Sequence, residues 1–163
     1  MPCLPYPTPL TNSAKNDFYP QKSIPLTQKE FQVGNRKILA VYEASYELKI
    51  YECLGKERKL IFAYEIKYPP VTSGVEIVDI LGDGNKQVAI RYCKKHSCPS
   101  PNGALAYDVA TGQSYELEYD DFNGITLSAN LAEEKNERIR EWLLKWWHEW
   151  PSGETDRIRY KSP

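Results

Sequence analysis

The stretch Tyr46-Glu-Leu-Lys-Ile-Tyr-Glu-Cys-Leu54 decides the fold. Leu48, Ile50 and Glu52 alternate with Lys49, Tyr51 and Cys53, and a period of two is the mark of a strand with one face in the core. Working outward, KILAVYEAS (37–45) and LIFAYEIKY (60–68) have the same β-rich character and are set off by short polar breaks such as Gly55-Lys56-Glu57-Arg58. The three runs read as an antiparallel meander. Pro69-Pro70 ends it, because proline cannot donate to a ladder.

Downstream, VEIVDIL (75–81) and QVAIRYC (87–93) are joined across Gly82-Asp83-Gly84-Asn85, and ALAYDVA (104–110) and SYELEY (114–119) across Thr111-Gly112. Both connections carry glycine where hairpins need positive φ. The total is about seven short strands, with no repeat of the length that marks a solenoid or complete propeller. Residues 130–150 read as a helix, opened by a capping-box-like Asn130-Leu131-Ala132-Glu133 and stopped by Pro151. The expected fold is α+β: an antiparallel sheet or small sandwich covered by one C-terminal amphipathic helix. A Pro-rich extended arm (1–27) precedes a single β-rich domain (28–150), and a polar tail (151–163) follows it.

The composition suits one core: 163 residues, 41% apolar, with Phe, Trp and Tyr supplying 12%. A formal charge of −1 from 21 basic and 22 acidic side chains leaves no long-range field to draw nucleic acid or anionic lipid. The N-terminal MPCLPYPTPL lacks the basic and apolar regions of a signal peptide, and no window approaches the ~18 apolar residues of a membrane span. The expectation is a soluble, cytoplasmic chain with no nucleic-acid partner and no membrane span.

The segment VEIVDILGDGNKQVAI (75–90) resembles the FG-GAP or VCBS-type repeat of integrin-like β-propellers, in which an apolar strand runs through an acidic, glycine-rich loop into a second apolar strand. The resemblance covers 16 of the 163 residues and does not extend to a whole propeller. It implies calcium held through oxygens at alternating positions, which here are Asp79, Leu81, Asp83, the backbone carbonyl of Asn85, and Gln87. Leu81 cannot ligate, and Gln87 offers a neutral oxygen where the family usually has a carboxylate. The same residues also read as a turn, with Gly82 and Gly84 bending the chain and Asp79 and Asp83 accepting its backbone amides. Calcium is the one cofactor the sequence suggests. The phrase AYDVATGQ (106–113) is similar to a propeller-blade turn in which Asp108 and Thr111 stabilise the bend.

Cys93-Lys-Lys-His-Ser-Cys98 admits a disulfide clip in an oxidising compartment, a reduced pair of thiols in cytosol or, with His96 and Cys53 or Cys3, a zinc site, although the paired CxxC or HxxxH knuckles of structural zinc are absent. Cys53 itself reads as a small buried hydrophobe. Carboxylates are plentiful, and Glu116, Glu118 and Asp120 read as a solvated strand face rather than an acid/base pair. No phosphate loop, dinucleotide fingerprint, nucleophile elbow or zinc-protease motif is found.

Trp142, Trp146, Trp147 and Trp150 give the helix an apolar face wider than one sheet needs. That width reads either as a helix clamped between its own sheet and arm or as one shared with a partner, and with Tyr6, Phe18 and Tyr19 of the arm the four indoles are the candidate contacts to another protein. The expected function is non-catalytic binding, as an accessory subunit of a larger assembly. The alternative is a small hydrolase or enzyme inhibitor acting through the sheet loops.

Overall fold

The computed structural model describes residues 25–43, 47–65, 75–92 and 101–149. Among these residues nine strands form two antiparallel sheets and one α-helix follows them. The chain divides into two compact units, Met1–Ile66 and Lys67–Pro163.

In the first unit β1 (Pro25–Val33), β2 (Arg36–Glu43), β3 (Glu47–Leu54) and β4 (Glu57–Glu65) pair in sequence order. The alternation expected in β3 is present: Leu48 and Ile50 are fully buried, on the face they share with Ile38, Ala40 and Tyr42 of β2. The other face carries Leu39 and Val41, against which Tyr51 and Cys53 pack. A register shift between Ile50 and Tyr51 bends the β3–β4 ladder.

Where β2 leaves its turn from β1, the Arg36 guanidinium grips Glu52 with two bonds, Nε to Oε2 at 3.0 Å and Nη2 to Oε1 at 3.1 Å. These hydrogen bonds hold Glu52 below its ordinary value of 4.5, against the smaller opposing effect of desolvation. A carboxyl lowered on folding stabilises above its unfolded pKa and loses that contribution as pH falls through the folded one. Replacing Glu52 with Gln should therefore flatten the acid limb of stability below about pH 4.5 by less than ~1 kcal/mol, the scale for a partly exposed pair, as read by urea titration across pH 2.5–6.

In the second unit β5 (Val75–Val78), β6 (Gln87–Tyr92), β7 (Gly103–Asp108), β8 (Ser114–Asp120) and β9 (Gly124–Leu127) also pair in sequence order. One face of β6–β7 carries buried Val88, Ile90, Tyr92, Leu105 and Tyr107. The other carries Ala104 and Ala106, whose small side chains admit the helix α1 (Glu137–His148). Ile139, Leu143, Leu144 and Trp147 pack there with Leu131, Tyr115 and Leu117, and each such aliphatic contributes roughly 1.5–3 kcal/mol on burial.

Two expectations change. Among the described residues the strands number nine rather than about seven, because β1 and β9 were not anticipated. The helix starts at Glu137 rather than Asn130, after a short 3-10 turn over Glu134–Asn136. Asn130 is engaged elsewhere: its Nδ2 donates to the Ser114 carbonyl at 2.7 Å and its Oδ1 accepts the Ser128 hydroxyl at 2.8 Å. It fastens the chain to β8 instead of capping the helix.

Tyr92 and Gly103 are cross-strand partners, and the tyrosine ring lies over the glycine. A methyl group at residue 103 would meet ring atoms at 2.5, 2.7 and 3.0 Å. The ring cannot yield easily, since its hydroxyl is hydrogen-bonded to Glu116. Gly103→Ala is therefore expected to cost about 1–3 kcal/mol by overpacking, measured by urea denaturation followed through tyrosine and tryptophan fluorescence.

Candidate functional site

Two regions of the second unit carry the residues singled out by the sequence, and the first is the loop between β5 and β6. Asp79 sits at its entrance as a hub: Oδ1 accepts the amides of Gly82 at 2.8 Å and Asp83 at 3.2 Å, and Oδ2 accepts that of Gly84 at 2.9 Å. Gly82 and Gly84 adopt φ of 71° and 89°, values that glycine reaches without a Cβ penalty. Asp83 turns inward as well, accepting the Asn85 amide at 3.0 Å and its Nδ2 at 3.3 Å.

The two positions that depart from the calcium pattern have other tasks. Leu81, with Ile80, packs against the helix-side core. Gln87 is wholly buried and reaches in two directions. Its Oε1 accepts the Ile80 amide at 2.8 Å, and its Nε2 donates to Asp108 Oδ2 at 3.1 Å. Asp108 Oδ1 in turn accepts the Thr111 amide at 3.1 Å. The turn after Asp79 and the turn after Asp108 are thus clasped through one buried amide that must both accept and donate.

The resemblance put Asp79, Asp83, Asn85 and Gln87 together as oxygen ligands, and the structure brings them into one loop with their side chains bonded to its backbone, to one another and to Asp108. Among the described residues no group of three or more His, Cys, Asp or Glu is placed to hold a metal ion. From this hydrogen bonding we expect EGTA to leave the melting temperature unchanged. Asp79→Ala should cost about 1–3 kcal/mol through loss of a charged acceptor for three amides, checked by calorimetry with and without added calcium.

The second region is the helix. Trp147 is 1% exposed; its Nε1 donates to the Pro101 carbonyl at 2.8 Å and its ring lies 5.9 Å from that of Tyr119. It belongs to the core rather than to an outward face. Trp142 and Trp146 flank that core and are half-buried, stacked with centroids 5.1 Å apart and planes inclined by 20°. Beneath them, Arg91 of β6 places its guanidinium 4.1 Å from the Trp146 ring centre and donates Nη1 to the Trp146 carbonyl at 2.9 Å. Burial draws Arg91 below the ordinary guanidinium value, offset by the charges of Glu76 and Glu149. The Trp146 ring is thus contacted both by the Arg91 guanidinium and by the Trp142 indole.

Sequence reasoning missed Arg91, because nothing in QVAIRYC says which helix will cross it. It also missed Phe122, which stands 97% exposed on the β8–β9 turn. That turn is rigid: Asp120 Oδ1 accepts the amides of Phe122 and Asn123, each at 2.7 Å, and Oδ2 accepts Asn123 Nδ2 at 3.0 Å. An aromatic among turn-forming polar residues was the available signal. An open depression of about 260 Å³ lies along the helix by Leu144, Lys145 and His148.

Several further expectations take a definite form. Glu116 is half-buried and receives the Tyr92 hydroxyl, so its strand face is not simply solvated. Cys53 is disulfide-bonded rather than a reduced buried thiol, and its bonding partner lies outside the described residues. Tyr6, Phe18, Tyr19, Cys93, His96, Cys98 and Trp150 likewise lie outside them. No helix among the described residues is long and apolar enough to cross a membrane. Comparison of the chain with protein families, with curated proteins and with solved structures finds no match.

Proposed function

We propose that this chain is a non-catalytic binding protein whose second unit presents aromatic anchors to another protein. The observation that carries the reading is the half-exposed Trp142–Trp146 stack held in place by Arg91. Indoles already fixed in position lose little freedom on binding, which is why Trp and Arg dominate interface hot spots. Phe122, on its pinned turn, supplies a second anchor of the same kind. Calcium at the 79–87 loop forms no part of the reading, because Leu81 packs into the helix-side core and Gln87 is wholly buried with its amide bonded to Ile80 and Asp108. The disulfide at Cys53 favours an oxidising compartment, where such bonds persist, over the cytoplasm expected from the sequence.

The test is the native size of the full chain, by gel filtration with light scattering on material from its source cells. A mass above 18.8 kDa that falls to the monomer in Trp142→Ser and Phe122→Ser, with circular dichroism unchanged, is the expected result. A monomeric wild type, or a complex indifferent to both substitutions, overturns the reading.

A further inference from the structure

We propose that Asn123 is a site of self-modification, at which the main-chain nitrogen of Gly124 attacks the asparagine carboxamide and the side chain deamidates to aspartate and isoaspartate. The chain holds two Asn-Gly pairs, at 102–103 and 123–124. A glycine after asparagine favours this chemistry, because no Cβ shields the attacking nitrogen and the backbone is free to bring it onto Cγ. The fold places the two pairs in opposite circumstances.

Asn123 is exposed in the turn between β8 and β9. Space is open around Gly124, where an added Cβ would meet nothing within 4 Å. Gly124 occupies the last rung of the β8–β9 ladder, opposite Asp120, and ladder ends open first. The Asn123 side chain is held by a solvent-exposed bond, Nδ2 donating to Asp120 Oδ2 at 3.0 Å, for which water competes.

Asn102 is only 8% exposed. Its amide donates to the Tyr92 carbonyl at 3.2 Å and its carbonyl accepts the Tyr119 amide at 2.8 Å. Gly103 is paired on both sides, with Tyr92 of β6 and Glu118 of β8. Ring closure at this pair would undo bonds to both neighbouring strands, so the same two-residue sequence is held inert.

At Asn123 the Gly124 nitrogen bonds to Cγ and gives up its proton to water, while Nδ2 leaves as ammonia. The cyclic imide so formed takes up one water. Opening at Cγ leaves an aspartate; opening at the main-chain carbonyl leaves an isoaspartate, with the backbone routed through Cγ. One water enters and one ammonia departs, with no change of oxidation state. Either product replaces the donor beside Asp120 Oδ2 with a second carboxylate, and Asp121 is a third acid in the same turn. Their repulsion loosens the turn that holds out Phe122, so the modification sets a lifetime on that presentation. The conversion itself does not depend on whether Phe122 contacts a partner.

The experiment ages the full folded chain at mildly alkaline pH, then unfolds, reduces and digests it with trypsin. One fragment, residues 96–135, holds both pairs, and its fragment ions in tandem mass spectrometry assign the conversion to position 102 or 123. In the folded chain, conversion at 123 is expected to be at least about tenfold faster than at 102, with isoaspartate among the products. In a parallel sample aged in guanidinium chloride the two rates should converge, since both pairs are then equally free. Equal rates in the folded chain, or an Asn123 that stays intact while the denatured sample converts, overturn the proposal. So does a ratio that persists in denaturant, which would assign the difference to flanking sequence rather than to the fold.

Discussion

Trp147→Ala is expected to cost about 3–5 kcal/mol and to lower the melting temperature of the second unit by roughly 15–30 °C. The indole is 1% exposed between the sheet and its own helix, so truncation opens a cavity that Leu143, Ile139 and Leu131 cannot close without moving. It also strands the Pro101 carbonyl, which now accepts the indole N–H at 2.8 Å, adding the penalty for an unmet buried acceptor. Trp147→Phe separates the two effects, because it keeps much of the volume and loses only the donor. About 1–2 kcal/mol is expected there. Thermal melts followed by near-ultraviolet circular dichroism give both numbers. A Trp147→Ala protein that melts within about 5 °C of wild type would show that this side chain is not a core member.

Gln87→Glu is the second large effect, and its sign depends on pH. At neutral pH the introduced carboxylate no longer donates to Asp108 Oδ2 and instead faces it, at a site where Gln87 is 0% and Asp108 4% exposed. A like-charged pair held from solvent should cost about 3–5 kcal/mol. Repulsion raises the introduced group's folded pKa above its unfolded value. Protonation of that group restores the donor, so the loss is present above the raised value and fades as pH falls toward that of a free carboxyl. Urea titrations at pH 7.5 and 4.5, with wild type alongside, read this directly. The FG-GAP resemblance invites the opposite outcome, since a carboxylate at this position is what the family usually carries and would add a charged ligand that stabilises the protein in calcium. The two accounts therefore part on one substitution.

The strands were legible wherever one face was apolar and the other polar, as in Leu48-Lys49-Ile50-Tyr51, or where a short apolar run ended in glycine. β1 was not, because Gln28, Lys29 and Glu30 are all exposed on this edge strand and leave no alternation to read. β9 was missed for its length, four residues after a turn. The helix was recognised but begun too early, because Asn130 looks like a cap from the sequence alone, while its actual partners, Ser114 and Ser128, sit on or beside the preceding strands.

The same limit applies at the site. Trp142 and Trp146 could be picked out by helical spacing, but the residue that fixes them, Arg91, lies 55 positions from Trp146. The parity of four cysteines was visible, but the oxidised state of Cys53 depends on what faces it, which no local pattern encodes.

The pairing order of the two sheets bears on how quickly this protein is made. Every strand is bonded to the strand before or after it in sequence, β1 to β4 in one sheet and β5 to β9 in the other. Each sheet can therefore grow hairpin by hairpin as the chain emerges, with only short loops to close at each step. Sheets whose neighbours are distant in sequence are slow because long loops must close before any contact forms. Among the described residues a long-range step remains, the return of α1 onto the sheet of β5–β9. We therefore expect each sheet to zip locally, with docking of the helix as the late event that sets the folding rate of the second unit.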